Sequence, residues 1–427
     1  MTPPTYPSCS LWALRRRETD PLAFLQELAR SSDKVVPFLL GTRLAFLLNH
    51  PDSIEDVLLT HHERFVKGRG FERAKPLLGD GLLTAEGSLH AARRRVSQPA
   101  FHRKRVERYA PLIVAHAAWC RKQWQPGIPL DVALDMKRLT LLIAGETLFG
   151  TDLTDVATDI ETAVASAIPR MDGLVSIVAS RRQVQAARHR LDVIVNDVVE
   201  RRRNDSATHD DVLSLLMEAQ EGDDEATASQ LRDDIVTFLL AGHDTIAHAL
   251  TWTWTLLASN PSTETKLHAE LEEVIGDRLA SAPDVSRLVY TRSVLAEAMR
   301  LFPPAWVIVR RAAESHRCHG RQIATGSLVV ASPFVTHRDE RFFSDPLAFS
   351  PERWLSPSER PRLAYFPFGV GPRSCIGEGF AWMEGTLVLA TLAGRWRLRS
   401  GSSAVEPSPR ITLRPRGPVQ MVPALVR

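Results

Sequence analysis

The chain is poor in cysteine, and what it has is not arranged in pairs. Its four cysteines in 427 residues, Cys9, Cys120, Cys318 and Cys375, form no C-x-x-C motif, which excludes a zinc ribbon or a disulfide framework. Four unpaired thiols suit a reducing, cytoplasmic compartment. No apolar run approaches the roughly 20 residues of a membrane span, and the short one at Leu11–Leu14 is too brief for a secretory core. No Gly/Ser linker, charge block or repeat divides the chain, so it reads as a flexible N-terminal segment, 1–19, followed by a single unit, 20–427. A net charge of +3 leaves no global footprint for nucleic acid. What is present is enough apolar residue, 44%, for a large core.

The most informative stretch is Phe366–Gly379, FPFGVGPRSCIGEG. Its glycines at 369, 371, 377 and 379 let the backbone take positive φ and pass close to a flat ligand. The apolar run that follows predicts a buried helix, so Cys375 sits just ahead of a helix N-terminus, where free N–H groups and the dipole favour a thiolate. A lone thiolate in a glycine cradle, with Arg373 beside it, suits axial ligation of a haem whose propionates need a cation.

Residues Thr227–Ser259 predict one helix about 50 Å long. It is apolar on more than one face and so crosses the core. Gly242, Asp244 and Thr245 interrupt its apolar pattern, and burying a carboxylate is costly unless it is paired or functional. Thr245 has a local alternative, donation back to the carbonyl of Ala241. Further on, Glu297 and Arg300 share a helix face, and Pro351-Glu352-Arg353-Trp354 adds a second arginine. Two arginines around one glutamate can form a bidentate network.

These patterns, in this order, resemble the cytochrome P450 family over roughly residues 20–420: the cysteine loop, AGHDT, E-x-x-R, P-x-R-W, and a W-x-x-x-R helix in which His90 takes the tryptophan slot and Arg94 follows. The resemblance implies a mainly α fold with a smaller β-rich lobe. Haem lies between the long helix and the cysteine loop. It implies haem b with iron on Cys375, and cofactor contacts from His90, Arg94, Ala241, Arg310, Phe368, Arg373 and Gly377. Arg311 is the alternative to Arg310, and His337 is a further propionate contact. Gly242 would give room for dioxygen, Thr245 would hydrogen-bond it and Asp244 would feed protons, while His243 fills the variable slot. Glu297, Arg300 and Arg353 are structural. The implied activity is monooxygenation of an apolar small molecule such as a fatty acid, terpenoid or polyketide-like compound. A haem-thiolate peroxygenase or peroxide isomerase, and a non-catalytic haem sensor, are the alternatives. The missing membrane anchor resembles the soluble bacterial members.

The same resemblance implies O2 as co-substrate and electrons from a ferredoxin or flavodoxin with its NAD(P)H-dependent reductase. The chain ends soon after Cys375 without a fused flavin domain, and Arg93–Arg95 with Arg103–Arg105 offer a basic docking face. Phe65, Phe71, Leu77, Leu82, Phe238, Val307 and Ile308 suggest an apolar cavity; Arg69, Arg73 and Lys75 either meet a carboxylate or face water. Residues 65–84 read as a long functional loop, and 104–204 as helical, with a helix pair hinged near Arg170–Gly173 as the lid.

Overall fold

Asp20 opens the first described helix: its carboxylate accepts the Leu22 amide at 2.9 Å and Pro21 takes the first position, giving Pro21–Ala29. The computed structural model describes residues 7–9, 20–153, 155–156, 159–160, 162–163, 170–172, 175–177, 181–207, 209–219, 225–356, 359–401 and 405–426. Most of the segment 1–19 therefore lies outside the described residues. The β-rich residues ahead of and after Gly41 form the expected hairpin, β1 (Val35–Leu40) against β2 (Arg43–Leu48), with Gly41 at φ 65°. Three more strands complete this sheet: β3 (Phe65–Lys67), β4 (Ile308–Ala312) and β5 (Leu328–Ala331). The order is β1-β2-β5-β4-β3, with β5 parallel to β2 and the short strand Ser8–Cys9 on the outer edge of β1.

The rest is mainly helical. We label the helices that build the site α1 (Gly87–Ser97), α2 (Arg103–Gln123), α3 (Val132–Phe149), α4 (Glu225–Ser259), α5 (Val289–Leu301) and α6 (Glu378–Ala393). The long helix α4 spans 35 residues, and its apolar face enters one core with α2, α3, α5 and α6. Trp252 on α4 stacks on Phe302 at 3.9 Å and donates Nε1 to the Leu413 carbonyl, so the closing strands are tied to α4. No helix among the described residues is long and apolar enough to cross a membrane.

Three local expectations are corrected. Residues Arg69–Leu78 are helical rather than a loop, because Ala74, Leu77 and Leu78 bury one face in a cluster with Leu191 and Val195, and tertiary packing overrides the glycines and Pro76. Arg170–Asp172 and Val175–Ile177 pair as an antiparallel ribbon, not as a helix hinge. In the cysteine loop only Gly369 and Gly371 have positive φ; Gly377 sits at φ −89° and Gly379 lies in the first turn of α6.

Gly371 is the position where glycine is indispensable. It holds φ 74°, and a Cβ there would stand 2.3 Å from the Leu58 carbonyl oxygen. Gly379 has nothing within 4 Å of such a Cβ. Gly371→Ala should therefore destabilise by about 2–4 kcal/mol, from the left-handed backbone plus overlap with a carbonyl. Gly379→Ala should be neutral or slightly stabilising. Thermal unfolding of the two variants side by side is the check; equal midpoints would refute the assignment.

Candidate functional site

The cysteine loop is held from one side by a buried ion network. Glu297 and Arg300 of α5 are fully buried. The Glu297 carboxylate accepts from Arg300 Nε and Nη2 (2.8 Å each), Arg353 Nε (2.9 Å), Trp354 Nε1 (2.9 Å) and the Ser350 amide (3.0 Å). Arg300 spends its remaining N–H groups on the carbonyls of His337, Pro346 and Ala348. All five guanidinium donors are thus used, as a buried charge requires. The pairing of E-x-x-R with the second arginine is as the sequence suggests. Trp354 and the three carbonyls are additions that no spacing announces.

The network reaches the loop through His337. Its carbonyl accepts from Arg300, and its Nε2 accepts the Phe366 amide at 2.9 Å, where the loop begins. Burial, with Arg300 and Arg338 nearby, holds this imidazole neutral, well below the usual histidine range. The expected propionate contact is therefore corrected: His337 is fully enclosed, and its Nε2 is committed to the backbone.

At the other end of the loop, the Cys375 amide donates to Phe368 O at 2.9 Å, Arg94 Nη1 of α1 donates to Ser374 O at 2.7 Å, and the Gly377 amide hydrogen-bonds the thiol. Cys375 is exposed although its loop is internal, and so is Ala241 midway along α4, with Gly242, Asp244 and Thr245 half-buried beside it. Ile376 and Leu240 both pack against the cluster that holds Phe238 and Leu239, so loop and helix are neighbours here. The sulfur is removed from bulk water, and this desolvation pushes the thiol up to about 11 despite the Gly377 amide and Arg94. The Gly377 amide at the start of α6 and Arg94 favour the thiolate, and burial opposes them.

Five basic side chains crowd one rim beside this loop: Lys67, His90, Arg94, Arg310 and Arg373. They act on one another with a single carboxylate, Glu86, among the described groups involved. Arg373 donates to Phe65 O and to Glu86 Oε2, both at 2.7 Å. Lys67 is buried, with Nζ donating to the carbonyls of Leu82 and Ala85. Burial and the neighbouring arginines, opposed by Glu86, push its ammonium down to about 7. His90 goes down to about 4, mainly by burial and then by Lys67 and Arg373, so it is a neutral hydrogen-bonding ring rather than a cation. Burial takes Arg310 to about 10, still charged. Strand alternation separates Arg310 from Arg311, which turns outward to Glu72 at 2.7 Å. Lys67 and Glu86 were not foreseen, because nothing in a single lysine or glutamate announces which loop will carry it to the rim.

A profile of the Cytochrome P450 family matches residues 2–421. The chain belongs to the cytochrome P450 family. It is 38% identical to cyclooctatin synthase of Streptomyces melanosporofaciens over 94% of this chain and 91% of that one. It is 34% identical to cyclooctat-9-en-7-ol 5-monooxygenase of the same organism, over 91% and 86%. Pentalenene oxygenase of Streptomyces avermitilis is 31% identical over 91% and 88%. A P450 is a haem-thiolate, oxygen-incorporating enzyme served by redox partners and acting with O2 on apolar substrates.

The P450 oxygen-activation pentad is not laid out as expected. Gly242 does not open space toward the interior: its missing side chain points at α3, where a Cβ would lie 3.2 Å from Leu148 Cδ1 and 3.9 Å from Ala144 Cβ. Glycine at 242 serves the close approach of α3 and α4, and the residue left open is Ala241. His243 is buried, its Nδ1 2.7 Å from Leu239 O. Thr245 Oγ1 donates to Ala241 O at 3.1 Å, the local alternative of the sequence reading. Asp244 turns to three groups that motif reading missed: Thr412 Oγ1 at 3.0 Å, His248 Nε2 at 3.2 Å and Lys137 Nζ at 3.8 Å. Burial would raise its pKa, but His248, Lys137 and His243 hold the carboxyl well below the usual carboxylate range.

Among the apolar cavity residues, Phe65 is corrected. It is fully buried in the β-lobe core, edge-on to His316 at 5.4 Å. Leu77, Leu82 and Phe238 are core, whereas Phe71, Val307 and Ile308 stay half-buried. Arg93 is not part of a basic surface: it is buried and ion-paired with Asp234.

The Glu297 network makes a testable demand. Glu297→Ala leaves the fully buried Arg300 guanidinium without its carboxylate, a loss of about 3–5 kcal/mol. The expected result is a lower unfolding midpoint and a smaller haem-loaded fraction after purification. An unchanged midpoint would remove the network from its role in seating the loop.

Proposed function

We infer that this P450 hydroxylates a cyclic terpenoid hydrocarbon or its mono-alcohol, using haem b ligated by Cys375. The observation that carries the cofactor reading is the rim of basic side chains with too few acids. Among the described residues, Glu86 is the carboxylate that acts on Lys67, His90 and Arg310, an imbalance that the two carboxylates of a haem would relieve. Neutral His90 adds a hydrogen-bonding ring, and Cys375 supplies the soft donor an iron requires. Phe368 and Gly377, half-buried in the loop, and Ala241, open on α4, suit the faces of a flat ring system. The haem, when bound, supplies the activation of O2 and the oxidation of a C–H bond.

The chain's own residues orient the substrate, exclude water and handle protons. Half-buried Phe71, Val307 and Ile308 offer an apolar lining, while Arg69 and Arg73 are exposed and Lys75 pairs with Asp80 at the surface. No cation is thereby committed to a substrate carboxylate, which favours a hydrocarbon over a fatty acid. The relatives named for cyclooctat-9-en-7-ol and pentalenene point the same way. Thr245, its hydroxyl donating to Ala241 O, keeps its oxygen free to accept a hydrogen bond. Asp244, kept ionised by His248 and Lys137, is placed to pass protons inward from partly exposed Lys137 by side-chain rotation. Electrons come from a separate ferredoxin or flavodoxin of acidic surface, with its NAD(P)H-dependent reductase. Exposed Arg95, Arg103 and Lys104, on α1 and α2 near the cysteine loop, are the docking cations that remain after Arg93 is withdrawn.

Ligation is tested by the ferrous–CO spectrum. The full chain should show the red-shifted Soret band of a thiolate, and Cys375→Ala should lose it; a wild-type band typical of histidine would overturn the assignment.

The role of Thr245 is tested by coupling. With a binding terpenoid present, Thr245→Ala should consume reductant at a near-normal rate while product falls and hydrogen peroxide rises. Full coupling in this variant would confine Thr245 to capping the Ala241 carbonyl, and would favour neither the monooxygenase nor the peroxygenase use of the site.

A further inference from the structure

A second cluster of ligand-type side chains lies in the β lobe, outside the haem site. The helix that starts at Pro51 changes to π geometry over Asp56–Thr60, and the His61 amide closes the turn on Asp56 O at 2.9 Å. An i→i+5 turn brings residue 61 back over residue 56, which the α-helical repeat would not do. His61 Nδ1 accordingly lies 2.8 Å from Asp56 Oδ1. From the other side comes the strand His316–Cys318, whose burial alternates so that both end residues point inward. His316 Nε2 lies 2.7 Å from Asp56 Oδ2, and the Cys318 thiol hydrogen-bonds the same carboxylate. The two imidazoles are 4.8 Å apart, centre to centre.

We propose that Asp56, His61 and His316 form a binding site for a divalent transition metal of the zinc class, with Cys318 as the adjoining soft donor. One ligand atom from each of the three lies within 4.8 Å of the others. Such atoms are all within about 2.8 Å of a common point, so a contraction of well under 1 Å reaches the 2.0–2.2 Å bonds of zinc to nitrogen and oxygen. Two imidazoles and a carboxylate match the donors zinc prefers over calcium or magnesium. The Asp56 side chain is 22% exposed and that of His61 35%, whereas His316 is 4% exposed, so the site has a solid floor and an entrance. The site also adjoins the catalytic loop. Leu58, within the π turn, is the residue whose carbonyl would sit 2.3 Å from a Cβ at Gly371, and the His62 carbonyl accepts from Arg373. Metal on this turn stiffens the seat of the cysteine loop without touching the haem pocket.

The test uses the full haem-loaded protein, freed of loose metal with a chelator and titrated with zinc chloride in a calorimeter. The expected result is saturable uptake of one equivalent per chain, with a zinc-dependent rise in unfolding temperature and an unchanged Soret band. Asp56→Asn keeps the shape and removes the charge; His61→Ala removes the most exposed ligand and threatens the fold least. Each should weaken zinc binding at least tenfold and abolish the thermal shift. Absence of saturable uptake, or uptake unchanged in either variant, would overturn the site and leave a hydrogen-bonded His–Asp–His bracket.

Discussion

The seat of the cysteine loop in this P450 hangs on one buried carboxylate. Glu297 gathers two arginines, an indole and a backbone amide from its own helix and from the segment 350–354. Through Arg300 the network fixes the His337 carbonyl, and through the His337 ring it fixes the Phe366 amide, where the cysteine loop starts. A buried ion pair is poor at adding stability, since desolvation offsets most of its attraction. Its use here is geometric: few arrangements satisfy all of these donors, so the loop has few places to go. The opposite wall of the seat is the π turn, against which Gly371 packs without a side chain.

The basic rim shows the reverse logic. Glu297 is over-supplied with partners, while Lys67, Arg310 and Arg373 share Glu86 among the described groups involved, and burial first, then the neighbouring cations, lowers Lys67 and Arg310. An anionic ligand would complement such a cluster, the same physical reasoning that makes a perturbed, desolvated group a marker of function. Neutral His90 in the slot where the family pattern has tryptophan keeps an N–H for hydrogen bonding while adding no further charge to a site already crowded with it.

On α4 a single helix serves packing and chemistry on different faces. Gly242 belongs to packing, since a side chain there would crowd Leu148 of α3. Ala241 and Thr245 belong to the open face. Asp244 lies between the two, bound to His248 one turn on and to Lys137 and Thr412 from other elements. A motif read along the sequence cannot distinguish these faces, because neighbouring residues in a helix point about 100° apart.

The sequence by itself determined the fold family, the cysteine loop, the long helix and the two halves of the Glu297 network, because each is written in residues at fixed local spacing. It also determined the first hairpin and the Asp20 cap, where turn and capping chemistry are local. Tertiary structure alone decided which of Arg310 and Arg311 faces inward, since strand register sets the facing and Glu72 claims Arg311 from 239 residues away. It withdrew His337 from the cofactor and Arg93 from the surface by burying both against partners distant in sequence. It also made Arg69–Leu78 a helix against its glycines. Above all it brought Lys67 and Glu86 to the rim, and His316 and Cys318 to Asp56 across 260 residues. Charge and metal-ligand clusters are sums over space, and a single chain read in order carries no distances between its distant parts.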